Sequence, residues 1–307
     1  MNPAPAGKPP SRQRRIFLWL LIVLLAGSAA ILTRYCGRVP ASSIGFWRVA
    51  GAALALLPFW LADWRRAGRP AAFSRGALLT GGFLGVHFAT WSWALQNTTI
   101  ANAALFIGLQ PLLAPFIARP VLGERLNRWE LAACGLASVG MVWILGQQFA
   151  LDRAHLAGSL VALGSAFLCA CYFVFSRKYR VRQSAFLFTV PVYATAAAVQ
   201  AALALTLDGG IRVGEGTERW ALLGLILLPT VGGHTLSIYL LRYVKSQLIT
   251  LAIPAQFVLV TLAARWVFRE TPTFWFAIGA AFVLAGVLLG VLKSETPAPP
   301  PESSRRS

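Results

Sequence analysis

Apolar runs of about twenty residues recur along this chain from Ile16 to Leu292, separated by short polar loops. Each is long enough to cross about 30 Å of hydrocarbon as an α-helix rising about 1.5 Å per residue. Of the 307 residues 57% are hydrophobic and only 12% charged, against roughly 25% charged in a soluble domain, so no water-soluble core could hide the apolar surface. The chain reads as an all-α polytopic membrane protein without an appreciable soluble domain. Ten transmembrane helices are expected, at about 16–33, 42–62, 75–95, 98–122, 129–147, 156–176, 184–206, 219–241, 246–268 and 273–292.

The polar punctuation of these runs appears twice. A shift of 146 residues carries Gln110 onto Gln256, Arg119 onto Arg265, Val121 onto Val267, Glu124 onto Glu270, Trp129 onto Trp275 and Gly140 onto Gly286; one residue more brings His87 onto His234. Gly27-Ser28-Ala29 and Tyr35 are echoed by Gly164-Ser165-Ala166 and Tyr172 at the same internal spacing. The first run is therefore expected to be a retained span rather than a cleaved leader. Ten spans make five per copy. Because five is odd, the second copy has to cross the bilayer upside down, giving two inverted five-helix repeats around a central cavity. The expected plan is a cytoplasmic basic tail over 1–15, one repeat over 16–147, a second over 155–292, and a Pro-rich disordered cytoplasmic tail over 293–307.

The formal charge of +18 would suit a nucleic-acid partner, but Lys and Arg sit in short loops between spans and form no basic domain, so none is expected. With the N-terminus inside, twenty Lys and Arg fall on the inner side and seven on the outer, which places both termini in the cytoplasm. Cys36, Cys134, Cys169 and Cys171 form no CxxC pair and have no histidine at ligand spacing, so no metal or cofactor is expected.

Polar side chains at membrane depth are costly, and each marks a candidate site. Arg48, about two turns into the second span, has to face a wet cavity, find a partner, or snorkel to the surface. His87 and Trp91 share a face of the third span, as do Gly81 and Gly85; an imidazole beside an indole either binds a polar solute or packs as a structural pair. Gln110 precedes Pro111 in the middle of span four, and Gln256 follows Pro254 in span nine. A proline frees backbone near the bilayer centre, where the amide either meets substrate or repairs the kink. Glu124 and Glu270 stand at span ends beside Arg125 and Arg269, as helix anchors or gate residues. No Asp or Glu lies deep in a span, so any proton coupling falls to His87 or His234. Gly279, Gly286 and Gly290, with Ala133 and Gly140 on the matching span, suit close helix packing.

The ordered set His87, Trp91, Thr98, Gln110-Pro111 and Leu122-Gly123-Glu124-Arg125, echoed by Gly233-His234-Thr235-Leu236, Leu241-Arg242 and Arg269-Glu270, resembles the EamA-type branch of the drug/metabolite transporter superfamily over about residues 16–292. Phe268-Arg269-Glu270 departs from the Leu-Gly-Glu usual in such proteins, and Phe257 stands where the first half has Pro111. The resemblance implies a central cavity between the halves and movement of small metabolites such as amino acids by alternating access, in a bacterial inner membrane.

The expected substrate lining is Trp47, Arg48, His87, Trp91, Gln110, Tyr172, His234 and Gln256. Arg48 would hold a carboxylate, the aromatics would enclose the apolar part, and Pro111, Glu124, Pro254 and Glu270 would act in gating or structure. The expected partners are a small-molecule substrate and the lipid bilayer, with a homodimer left open. An intramembrane enzyme is disfavoured, since no HExxH motif, Asp pair or Ser-His register stands out. A non-transporting receptor or scaffold stays as the alternative to an amino-acid or metabolite exporter.

Overall fold

A backbone in hydrocarbon has no water to bond, so each segment has to close its own hydrogen bonds, and the helix does this within one stretch of chain. The computed structural model describes residues 10–146, 153–180, 183–268 and 274–294, without the side chains of 96, 100, 101, 153, 154 and 264–268. Among the described residues all regular structure is helical.

The first half runs α1 (Arg12–Tyr35), α2 (Ala41–Arg66), α3 (Arg75–Asn97), α4 (Ile100–Gly108), α5 (Gln110–Leu122) and α6 (Arg128–Gly146). The second runs α7 (Arg153–Arg180), α8 (Ala185–Leu207), α9 (Thr217–Leu225), a π-helical stretch (Ile226–His234), α10 (Thr235–Leu240), α11 (Ser246–Thr250), α12 (Ala252–Phe268) and α13 (Phe274–Lys293). Several starts are written locally. The hydroxyls of Ser11, Ser74, Thr99 and Ser184 accept the backbone N–H of Arg14, Ala77, Asn102 and Leu187, satisfying donors that a helix leaves open in its first turn. Gly123 stops α5 in the left-handed region, at φ 70°, where glycine carries no side-chain penalty.

The helices group into ten stretches, since α4 and α5 flank Leu109, α11 and α12 flank Leu251, and α9, the π stretch and α10 run on continuously. Their ends depart from the expected spans by four residues or fewer. Nine stretches of the described residues are long and apolar enough to cross a membrane. The other, α3, has 23 residues, about 34 Å of helix, but Thr80, His87, Thr90, Gln96 and Asn97 dilute its apolar character, and it packs against α7 and α8. The protein is an integral membrane protein.

The halves meet through one set of helix pairs that reads the same when the halves are exchanged. α3 on α7 is matched by α1 on the π stretch, α3 on α8 by α2 on the π stretch, and α5 on α7 by α1 on α12. α2 on α8 and α6 on α13 join helices that the sequence repeat equates. Such equated helices run in opposite directions. A Cβ on Gly140 would meet Val283, and one on Gly290 would meet Ala133; Gly45 lies on Gln200, while Phe59 stacks on Phe186.

Small residues let α6 and α13 touch backbone to backbone, as the glycine stripe suggested. A Cβ added at Gly286 would stand 2.6 Å from the Ala133 carbonyl oxygen and 2.7 Å from the Ala137 nitrogen, atoms that cannot rotate away. Gly286→Val is expected to lower the melting temperature of the detergent-solubilised protein by several degrees, since overpacking costs about 1–3 kcal/mol. Gly135→Ala, whose added Cβ meets nothing within 4 Å, should leave the melting temperature unchanged.

Candidate functional site

Arg48 lies about 10 Å along α2 from its start. Its Nε donates to the Thr230 hydroxyl at 3.4 Å. Its guanidinium carbon stands 4.4 Å from the centre of the Phe88 ring, a cation–π contact. Among the described residues no carboxylate pairs with it. Arg48 does not snorkel: it forms the floor of a cavity of about 190 Å³. The walls are Thr33, Gly37 and Val39 at the end of α1, Ala41, Ile44 and Gly45 at the start of α2, and Phe88, Trp91, Ser92 and Leu95 on α3.

Behind Phe88 lies a knot of rings centred on His234. Its imidazole is 5.8 Å from Phe88, 5.8 Å from Tyr172 and 6.3 Å from Phe173, on which it stacks. The π stretch places it there. Pro229 has no N–H to give the ladder, and in the widened turns Thr230 bonds back to the Leu225 carbonyl while the Thr230 carbonyl accepts from Tyr193 and Thr235. Single π turns inside α-helices are frequent at functional sites.

His87 is held differently. Its Nδ1 lies 3.0 Å from the Ser165 carbonyl, which can only accept, so Nδ1 carries the proton. The Ser165 hydroxyl takes the same proton at 2.8 Å and donates its own to the His87 carbonyl at 3.1 Å. The sequence suggested no Ser-His register, yet the fold brings this pair together. With its proton committed to a carbonyl and its side chain fully buried, Ser165 is a strut between α3 and α7 rather than a nucleophile. The repeat-mate pair is not made. Ser28, which answers to Ser165, bonds instead to the Leu25 carbonyl of its own helix at 2.6 Å.

Of the expected lining, the fold brings Arg48 and Trp91 to the cavity, with His87 and His234 close enough to feel the Arg48 charge. Trp47 points elsewhere, donating from Nε1 to the Arg212 carbonyl at 3.0 Å and packing with Cys36, Val39 and Leu225. Tyr172 is fully buried and its hydroxyl has no hydrogen-bond partner. Gln110 is fully buried, with neither amide atom bonded to nitrogen or oxygen and the Cys169 thiol as its polar neighbour; it repairs no kink. Gln256 packs on Gly27 of α1, and neither glutamine lines the cavity. Pro111 is not a kink within a helix, because α4 stops before Leu109 and the proline opens α5. Pro254 likewise sits just inside α12, after the break at Leu251. Glu270 and Arg269 lie outside the described residues.

At the opposite end the halves are tied by buried ion pairs, beside a smaller cavity of about 90 Å³ between α1 and the ends of α10, α11 and α13. Glu124 pairs with Arg177 rather than with adjacent Arg125, and Arg177 also donates to the carbonyls of Leu241 and Val244 beyond α10. Burial pushes the Glu124 carboxyl above its usual range, and the Arg177 charge pulls it back. Lys245 reaches Glu130 at 2.7 Å, and Glu130 also takes the Ser294 hydroxyl at 3.2 Å. Both ion pairs cross from one half to the other. Here α7 packs on α10 and α11. At the other end α1 and α3, the repeat-mates of α7 and α10, stand on two sides of the cavity. Arg177, Glu130, Lys245, Phe88, Thr230 and Ser165 had no part in the sequence reading of the site, although Arg177 and Lys245 counted there as loop charges.

The EamA-like transporter family matches the chain twice, over residues 13–146 and 156–292. An uncharacterised transporter of Archaeoglobus fulgidus is 31% identical over 270 residues, which is 88% of this chain and 93% of that protein. A probable 4-amino-4-deoxy-L-arabinose-phosphoundecaprenol flippase subunit ArnE of Serratia proteamaculans is 38% identical over 90 residues, which is 29% of this chain and 76% of that protein. A solved crystal structure shares the fold, with a TM-score of 0.78 at 22% identity, over 92% of this chain and 97% of its own.

Glu124→Gln removes the counter-charge of a buried guanidinium, a loss that costs about 3–5 kcal/mol. In a background with the four native cysteines replaced by alanine, Ser176→Cys, the buried residue next to Arg177, should react with N-ethylmaleimide roughly a hundredfold faster or more once Glu124→Gln is added, since each 1.4 kcal/mol of that cost is about tenfold. An unchanged rate would mean that the ion pair does not hold this end shut.

Proposed function

This chain belongs to the EamA-like transporter family, and on that premise we propose that it is a secondary carrier of small metabolites, an exporter of amino acids or related carboxylate-bearing solutes working by alternating access. The observation that carries the proposal is the unequal treatment of equivalent contacts. At one end Arg177 ties α7 to the turn after α10 through the Leu241 and Val244 carbonyls and is itself paired with Glu124 of the first half, while at the other the matching helices α1 and α3 are parted by a cavity with Arg48 on its floor. Two copies of one unit caught in different arrangements are what a rocking pair of inverted repeats requires.

In this reading the ten helical stretches are ten spans, α3 being shielded from lipid by α7 and α8. Both termini lie in the cytoplasm, and the cavity opens to the outside of a bacterial cytoplasmic membrane. Arg48 holds the carboxylate of the solute, and Trp91 and Phe88 cover its apolar part. Glu124 gates the inner end. The buried amide of Gln110 belongs to the path that opens when that gate parts.

Thermal-shift screening against amino acids, nucleosides and organic acids selects a solute, because a ligand that binds only the folded protein raises its melting temperature. With that solute, proteoliposomes should show counterflow of label. Arg48→Ala and Trp91→Ala should each lower the exchange rate by roughly ten- to a hundredfold, the range expected when a charge-assisted bond of about 1.5–3 kcal/mol or a stacking wall is removed. A receptor or scaffold would bind and exchange nothing.

A further inference from the structure

The groups around Arg48 also indicate the charge of what the cavity takes. A guanidinium has five N–H donors, and here one of them meets a protein acceptor, the Thr230 hydroxyl at 3.4 Å. Among the residues that line the cavity Arg48 is the one charged side chain, and the titratable groups that sense its charge, Tyr193, Cys36, His87 and His234, include no carboxylate. Glu218 stands near the mouth beside Gly37, but its two carboxylate oxygens are taken by the backbone N–H groups of Arg38 and Glu215, both at 3.0 Å. Asp208 holds the Ser42 hydroxyl. The Cys36 thiol, pushed up to about 11 by burial and by Glu218, supplies no negative charge at neutral pH.

We infer that the cavity is an oxyanion site whose cargo carries net negative charge, with a carboxylate or phosphate seated on the free prongs of Arg48 and a small apolar body against Trp91, Phe88 and Leu95. The inference deepens the carrier reading and rests on it. An isolated cation at membrane depth is costly, and an arriving oxyanion relieves that cost with paired N–H···O bonds that match the planar fork. A neutral amino acid satisfies only half of this. Besides Arg48, the polar side-chain groups on the wall are the hydroxyls of Thr33 and Ser92 and the indole N–H of Trp91, so its ammonium would find no carboxylate.

The test reads the sign of the cavity without knowing the cargo. Ser92 is changed to cysteine in the full chain, with the four native cysteines replaced by alanine. Its modification rate is measured in proteoliposomes with two ethyl methanethiosulfonates of similar size, one bearing a sulfonate and one a trimethylammonium, each referenced to free mercaptoethanol. The sulfonate reagent is expected to win by about tenfold or more, the low end of what a cleft of one sign achieves. Arg48→Lys should keep that preference, and Arg48→Gln should abolish it. A ratio near or below one in the parent overturns the proposal, as does a preference that survives Arg48→Gln, or one that is lost in both Arg48→Lys and Arg48→Gln. Counterflow separates the two levels: anion preference without solute exchange leaves the site standing and removes the carrier, whereas exchange with a cation-preferring cavity does the reverse.

Discussion

One buried contact, Glu124 with Arg177, holds the closed end of the molecule together. Desolvating two charges costs several kcal/mol each, and the pair recovers that only with good geometry and further hydrogen bonds. The planar guanidinium meets the condition by serving three acceptors at once: the Glu124 carboxylate and the carbonyls of Leu241 and Val244. A lysine could not span that set in fixed directions. Because Glu124 belongs to the first half and the other three residues to the second, the halves cannot part here without exposing both charges. Lys245 and Glu130 repeat the arrangement a short distance away, with Ser294 and the Asn127 N–H filling the remaining acceptor positions on the carboxylate.

Closure at this end leaves a residue of unmet demand. Thr80, Ser176, Thr189, Ser246 and Gln247, all near helix ends on the closed side, bury side-chain polar atoms that have no hydrogen-bond partner. Each such atom costs on the order of 1–3 kcal/mol. A static scaffold gains nothing by carrying them, whereas a surface that is wetted in another arrangement needs them. The ion pairs and the unmet polar atoms therefore pull in opposite directions. Opposed contributions of this kind keep the gap between two states to the few kcal/mol that a bound solute can overcome.

The sequence carried the helices, the duplication and the packing stripe almost unaltered, because apolar run length and small-residue spacing are local properties that the bilayer reads directly. Arg48 and Trp91 were legible for the same reason, being polar or amphipathic groups in otherwise apolar runs. Trp47 was misplaced by adjacency. Neighbours on a helix point about 100° apart, and Arg212, which holds the Trp47 indole, lies 165 residues away. The breaks at Leu109 and Leu251 and the π turns before His234 stayed hidden, since hydropathy registers the length of a run and not its hydrogen-bond register. Arg177 was read as a loop charge; its burial depends on a turn 64 residues distant, which no local pattern announces.

The two histidines show how one repeated signal can take two forms. His87 is tied to Ser165 across α3 and α7, while His234 stacks among rings and Ser28 turns to its own helix. The sequence equates His87 with His234 and Ser165 with Ser28, so the difference lies in conformation and not in composition. In the proposed alternating-access cycle the halves would exchange conformations, giving up a His87–Ser165 bond while letting His234 meet Ser28. One hydrogen bond of about 1 kcal/mol replaces another of the same kind, so this part of the core contributes little to the difference between the states. In the proposed carrier the preference for one arrangement would then be set at the ends of the molecule, where Glu124 and Glu130 find buried partners in the second half, and at Arg48, which among the described residues pairs with no carboxylate.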